Sequence, residues 1–208
     1  MAVTVGTLNN NDRVVLGRRV KILAGRLAGF IPPQARVLDV GCGDGTIDHL
    51  ISQQLPGVTI EGIDVAVRTD AHIPVCPFDG IHIPHPDASF DVVMFVDVLH
   101  HTDDPLLSLQ EARRVGKMIL IKDQVRQGFM AGATLRVMDW FGNAHHGDVL
   151  PHNYWSKAEW EAAFDAVGLK QVQRMTSLGL YRAPASWIFE RSLHFIGRLE
   201  EEKAHSPG

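Results

Sequence analysis

Several residues in this sequence have types and spacings that can do chemistry: Asp39 with the turn Gly41-Cys42-Gly43-Asp44-Gly45, then Asp64, Asp79-Gly80, Asp97 and a set of histidines. Glycines at alternate positions let the backbone turn sharply and let a ligand approach the main chain with no β-carbon in the way, which suits a nucleotide-type cofactor. The spacing is G-x-G-x-G rather than the G-x-G-x-x-G that seats a pyrophosphate over a helix N-terminus. Asp39 precedes the turn, where a carboxylate would repel a pyrophosphate but can pair with the ammonium of a methionine moiety. S-adenosylmethionine carries that ammonium and a sulfonium, and no phosphate. Asp64 can accept hydrogen bonds from both hydroxyls of an adenosine ribose. NAD would use the same residue, so Asp64 calls for adenosine while Asp39 and the glycine spacing select the methyl donor.

Methyl transfer from a sulfonium is an in-line displacement at an activated carbon, so a protein chiefly aligns the nucleophile and excludes water. A base is needed when the acceptor is a hydroxyl or a protonated amine, and histidine suits that task near neutral pH. His100 reads as a side chain packed at the start of a helix, and His101 reads equally as catalytic or structural; His101 and His146 are the candidate bases. His145-His146-x-Asp148 with His152 matches no familiar zinc spacing and has no cysteine nearby, so no metal is expected. Phe129, Trp140, Phe141, Tyr154 and Trp155 are either core or the walls of an apolar pocket, with Trp140 and Tyr154 the candidate substrate contacts.

The elements that must position these groups alternate. Asp12 to Phe30 has helical periodicity; its arginines read as a solvated basic face, or as a cap on the pocket. Arg36 to Val40 is a short apolar run flowing into the glycine turn, Thr46 to Leu55 is helical, and Val58 to Ile63 is a second strand ending at Asp64. Phe90 to Val96 is another strand, Pro105 to Arg114 a helix, Lys117 to Ile121 a strand, and Ser156-Lys157-Ala158-Glu159 a capping box opening a helix that Gly168 closes. Glu200 to Gly208 reads as a solvated tail. Alternating strands and helices predict a mostly parallel sheet covered on both faces, with ligands at the carboxyl ends of its strands. The stretch 124–155 is longer than a plain crossover needs, and its apolar side chains suggest an ordered cap.

Composition narrows the classes. A chain of 208 residues, 45% hydrophobic, supports one domain spanning 1–208, with the 12–30 helix and the 124–155 cap as its additions. A net charge of -4 without a basic stripe argues against nucleic acid. No apolar run is long enough to span a membrane. Two cysteines and no signal-like start favour a cytoplasmic protein; a monomer or homodimer is expected.

Val37-Leu38-Asp39-Val40-Gly41-Cys42-Gly43-Asp44-Gly45-Thr46 resembles the first motif of class I S-adenosylmethionine-dependent methyltransferases almost residue for residue. Ile83-Pro84-His85-Pro86-Asp87-Ala88-Ser89-Phe90-Asp91-Val92-Val93 is similar to the segment leading into that family's fourth strand, and Val98-Leu99-His100-His101 follows as in many small-molecule members. The resemblance implies an α/β, Rossmann-like, seven-stranded, mostly parallel sheet with helices on both faces and an antiparallel last strand. It also implies that Asp39 and the turn Gly41, Cys42 and Gly43 hold the methionine part of S-adenosyl-L-methionine, Asp64 and Val65 the ribose, and Asp79-Gly80 the adenine edge. Backbone at Val96 and Asp97 would line the methyl side. The chain departs from the family between Asp64 and Asp79, where Pro74 and Pro77 leave no room for the usual full helix. Two other functions compete: an NAD-dependent oxidoreductase, and a non-catalytic S-adenosylmethionine-binding domain with a protein partner.

Overall fold

The structure, a computed structural model, describes residues 10–126, 154–181, 183, 186–189 and 193–202. In chain order these form α1 (Asn10–Ala28), β1 (Arg36–Val40), α2 (Thr46–Gln54), β2 (Thr59–Asp64), β3 (Val75–Pro77), β4 (Phe90–Val96), a 3-10 turn (Leu99–His101), α3 (Pro105–Val115), β5 (Gly116–Gln124), α4 (Lys157–Ala166), β6 (Leu169–Met175), α5 (Ser186–Phe189) and β7 (His194–Glu201). No helix among the described residues is long and apolar enough to cross a membrane.

The strands make one seven-stranded sheet in the order β3-β2-β1-β4-β5-β7-β6. β1 pairs in parallel with β2 and β4, and β4 with β5, while β7 runs antiparallel to both β5 and β6. The central strands are buried on both faces, as parallel strands between helical layers must be. One face carries Leu38, Val40, Val93, Phe95, Ile119 and Ile121 against Leu109 and Ala112 of α3 and Trp160 and Phe164 of α4. The other carries Val37, Val92, Met94 and Leu120 against Leu23 and Leu27 of α1 and Ile51 of α2. Burying one large aliphatic or aromatic side chain contributes about 1.5–3 kcal/mol, so these two layers supply the main driving force.

Local signals set the helix ends. Asp104 caps α3, its carboxylate accepting from Leu107 N at 3.0 Å, with Pro105 at the first helical position, where its missing N–H costs nothing. Ser156 and Glu159 close a reciprocal capping box on α4, which ends before Gly168 at φ 68°. Sheet order reverses between β1 and β4, so the crevice at their carboxyl ends is the topological switch point where such sheets bind ligands.

Three expectations change, and one holds. Lys122, Asp123 and Gln124 continue β5 beyond Ile121, because β7 pairs with them and buries them. Glu200 and Glu201 are not a tail: they pair with Lys170 and Leu169, and Glu201 bonds Arg113. As the prolines imply, chain 65–74 forms no full helix; it leads to the three-residue edge strand β3, where Pro77 has no ladder partner to disrupt on its outer side. Finally, Arg18, Arg19 and Arg26 of α1 reach the rest of the fold instead of facing solvent alone. Arg18 bonds Leu180 O at 2.8 Å, Arg26 bonds Leu178 O at 3.4 Å, and Arg19 reaches Asp97, fastening α1 over the sheet.

Candidate active site

Two clusters of charged side chains occupy the carboxyl ends of the strands. The first surrounds the glycine turn. Gly41 must be glycine: its φ is 75°, and a β-carbon there would lie 2.7 Å from Val98 Cγ2. Gly43, at φ 61°, has nothing within 4 Å of where its β-carbon would be, so its side faces open space that a ligand can fill. Asp64 braces this turn from the end of β2. Its Oδ2 accepts from Gly43 N at 2.8 Å and its Oδ1 from Ala66 N at 2.9 Å, which leaves each oxygen a lone pair for a ribose hydroxyl.

Beneath the turn lie Asp39 and Asp48, both buried. Asp39 Oδ1 and both Asp48 oxygens have no hydrogen-bond partner. Burial, then the Asp48 charge, raises the Asp39 carboxyl well above the usual range, and burial pushes Asp48 up to about 6. Burial and these same acids raise the Cys42 thiol, whose sulfur sits where a β-carbon on Gly62 would clash at 2.3 Å. Cys42 is therefore an unreactive spacer.

Across β3, the exposed Asp79 uses one oxygen to accept from Ile81 N and His82 N, both at 2.7 Å, shaping a turn whose Gly80 has φ 82°. A small, mostly apolar cavity of about 20 Å³, lined by Val40, Phe78, Gly80, Ile81, Phe95 and Val98, lies beside it, room for one water. Val65 is exposed and flanks Gly80.

The second cluster sits at the ends of β4, β5 and β7. Asp97 follows Val96 at φ 57°, a left-handed conformation that aspartate tolerates, and its amide bonds Lys122 O at 2.8 Å. Its carboxylate contacts the wholly buried Lys122 Nζ through Oδ1 and Arg19 through Oδ2 at 3.1 Å. Burial alone would raise Asp97, but the Lys122 and Arg19 charges overcome it and hold the carboxyl well below the usual range. Burial lowers Lys122, against the pull of Asp97. On the opposite face of the sheet, His100 Nδ1 lies 2.6 Å from Asp123 Oδ1, with both side chains buried. Tyr154 stacks on His100 with ring centroids 5.8 Å apart, and His101 lies 3.9 Å from it by the same measure.

Asp97, His100 and Asp123 are close enough together to bind a metal. Both Asp97 oxygens, however, already face cations. A divalent ion would also meet the repulsion of Lys122 and Arg19.

The structure thus brings Asp39, Gly41, Cys42, Gly43 and Asp64 to one crevice, with Val65, Asp79 and Gly80 on its far wall and Val96, Asp97, His101 and Tyr154 toward its other end. His146 and Trp140 lie outside the described residues, as do His145, Asp148, His152, Phe129 and Phe141 and the centre of the 124–155 stretch. The sequence marks Lys122 and Asp123 as residues following a strand, and Arg19 as one of the arginines of the first helix, without giving them a role; Asp48 and His194 carry no such mark. The available signal was Lys122-Asp123 ending an apolar strand, two charges where a buried strand should show none.

A family model described as a methyltransferase domain matches residues 16–174. The 27-O-demethylrifamycin SV methyltransferase of Amycolatopsis mediterranei is 32% identical over 121 residues, covering 51% of this chain and 44% of that protein. The 2-methyl-6-phytyl-1,4-hydroquinone methyltransferase of Synechocystis is 31% identical over 136 residues, covering 61% of this chain and 38% of that one. The chain therefore spans less than half the length of these two relatives. An S-adenosylmethionine-dependent methyltransferase structure from Thermotoga maritima, 18% identical, superposes with a TM-score of 0.64 over 93% of this chain and 96% of that one.

Proposed function

Because this chain belongs to the methyltransferase-domain family of class I S-adenosylmethionine-dependent enzymes, we propose that it methylates a hydroxyl oxygen of a small-molecule acceptor. The residues beneath the glycine turn fit the cofactor. Asp39 presents a buried oxygen without a donor, which an ammonium would satisfy, and Gly43 leaves open the side on which a β-carbon would stand. Among the described residues this cluster offers no cation to a pyrophosphate, which argues against the NAD reading. Asp64 serves the ribose, and the turn at Asp79-Gly80 the adenine edge. When bound there, S-adenosylmethionine supplies a methyl carbon already activated by positive sulfur.

The observation that carries the hydroxyl reading is the buried His100–Asp123 pair at 2.6 Å. Asp123 holds the proton on Nδ1, which makes Nε2 the basic nitrogen, and it stabilises the imidazolium once that nitrogen takes the acceptor proton. His101 and Tyr154, packed against the His100 ring, fix its plane and exclude water. The first relative acts on an oxygen by its name, which agrees with this reading.

Labelled methyl transfer to a panel of hydroxyl acceptors tests it, with His100→Gln and Asp123→Asn compared against wild type. Each substitution should lower kcat by about 100-fold or more, with S-adenosylhomocysteine affinity unchanged. Full activity in both variants would remove the base from the mechanism and leave the methyltransferase reading standing.

A further inference from the structure

His194 is the first residue of β7 and lies opposite Gln124 at the end of β5. It is buried, and neither ring nitrogen has a hydrogen-bond partner. An imidazole always carries at least one N–H, so an unfilled donor and an unfilled acceptor are shut away from water here, a costly arrangement unless something else completes them. Pairing in this sheet puts His194 on the same face as Lys122, whose register partner Ile196 is two residues further along β7. Lys122 Nζ has three donor hydrogens, and among the described residues its single hydrogen bond goes to Asp97. Two neighbouring buried groups thus hold unused donors, at the strand ends where this fold class binds ligands.

We infer that Lys122 and His194 form a subsite for an anionic oxygen of the acceptor, a carboxylate or a phenolate, separate from the oxygen that is methylated. An oxygen between them would accept from the ammonium and from one imidazole N–H, filling both vacancies. The charged surroundings suit an anion. Asp97 divides its carboxylate between Lys122 and Arg19, so Lys122 retains positive charge that a second anion can balance. The groups facing His194 are Lys122, Asp97, Arg19 and His100, with the Tyr181 ring 6.3 Å away. Burial and the two cations keep the imidazole neutral, so it offers a directional donor rather than a competing charge. His100 and Asp123 meet Asp97 at the same strand ends, with ligand atoms within 4.8 Å of one another, so an acceptor held here at one oxygen can offer another to His100. This inference rests on the acceptor entering at the ends of β4 and β5, as in the proposed function.

The test uses the full chain saturated with S-adenosylhomocysteine and titrated with benzoate or 4-nitrophenolate, with benzamide as the uncharged control. Anion binding should shift the His194 ring nitrogen resonances and raise Tm, while benzamide does neither. Benzoate acting alone identifies a carboxylate site, and nitrophenolate acting alone a phenolate site. His194→Phe should weaken the anion at least roughly tenfold yet raise the Tm of the unliganded protein by about 2–4 °C, because it removes unsatisfied buried donors. His194→Gln, which keeps a donor and an acceptor, should retain part of the binding. The subsite is refuted if neither anion moves the His194 resonances, or if His194→Phe lowers Tm and leaves anion binding intact. Failure to bind S-adenosylhomocysteine would instead refute the methyltransferase reading.

Discussion

The two ends of the crevice treat carboxylates in opposite ways. Under the glycine turn, Asp39 and Asp48 face each other with no donor on three of their four oxygens, and both are pushed toward the protonated form. At the end of β4, Asp97 meets two cations and is held ionised. One cluster lacks a positive charge and the other already contains its own. That difference tells which substrate part each end suits: a cationic amino-acid moiety belongs beside Asp39, while the Asp97 end has donors left for an oxygen. Identical side chains acquire different roles because burial penalises a carboxylate charge and only a nearby cation restores it.

Asp97→Asn should show the largest effect. Asparagine tolerates the left-handed backbone at this position, so the loss isolates the charge. It leaves the wholly buried Lys122 without its carboxylate, and breaking such a pair costs about 3–5 kcal/mol, readable as a lower urea midpoint. A loss below about 1 kcal/mol would mean that Lys122 sheds its proton easily, and the contrast between the two clusters would collapse.

A smaller effect, with a distinct pH signature, is expected of Asp48→Asn. The folded Asp48 carboxyl titrates at about 6, above its unfolded value, so between roughly pH 4 and 6 the unfolded chain releases a proton that the folded chain keeps. Stability must fall as pH rises through that window, by about 2–3 kcal/mol. Asparagine removes this loss, so the variant should gain on wild type at pH 7.5 and match it near pH 4. Asp97 has the opposite sign, because a depressed carboxyl contributes stability above the unfolded value that is lost as pH falls through the folded one. Urea unfolding of both variants across pH 3.5–7.5 would show the two slopes directly; parallel slopes would refute the comparison.

The smallest effect concerns cofactor affinity alone. Asp64→Ala should weaken S-adenosylhomocysteine binding by about 1–3 kcal/mol by calorimetry, through loss of a charged acceptor for the ribose and of the brace on Gly43. Unchanged affinity would remove Asp64 from the cofactor site.

How far each end could be read in advance follows from how it is built. Asp39, Gly41 and Gly43 are neighbours along the chain, and their chemistry belongs largely to the backbone conformation that glycine permits, so pattern and spacing expressed it directly. The alternation that predicted the parallel sheet, the Ser156 capping box and the Gly168 stop are local in the same sense, and all appear where the residues placed them. The other end is assembled from Arg19, Asp97, His100, Lys122, Asp123 and His194, contributed by α1, β4, β5, β7 and the 3-10 turn. His100 read as packing because nothing beside it in sequence announces Asp123, and Glu200 read as tail because its strand partner, Lys170, lies on a distant edge. Local backbone preference and hydrophobic period were determined by the sequence alone. Whether a buried charge keeps a counter-charge, and so whether it is ionised, protonated or free to meet a ligand, was decided only when the sheet brought distant strands together.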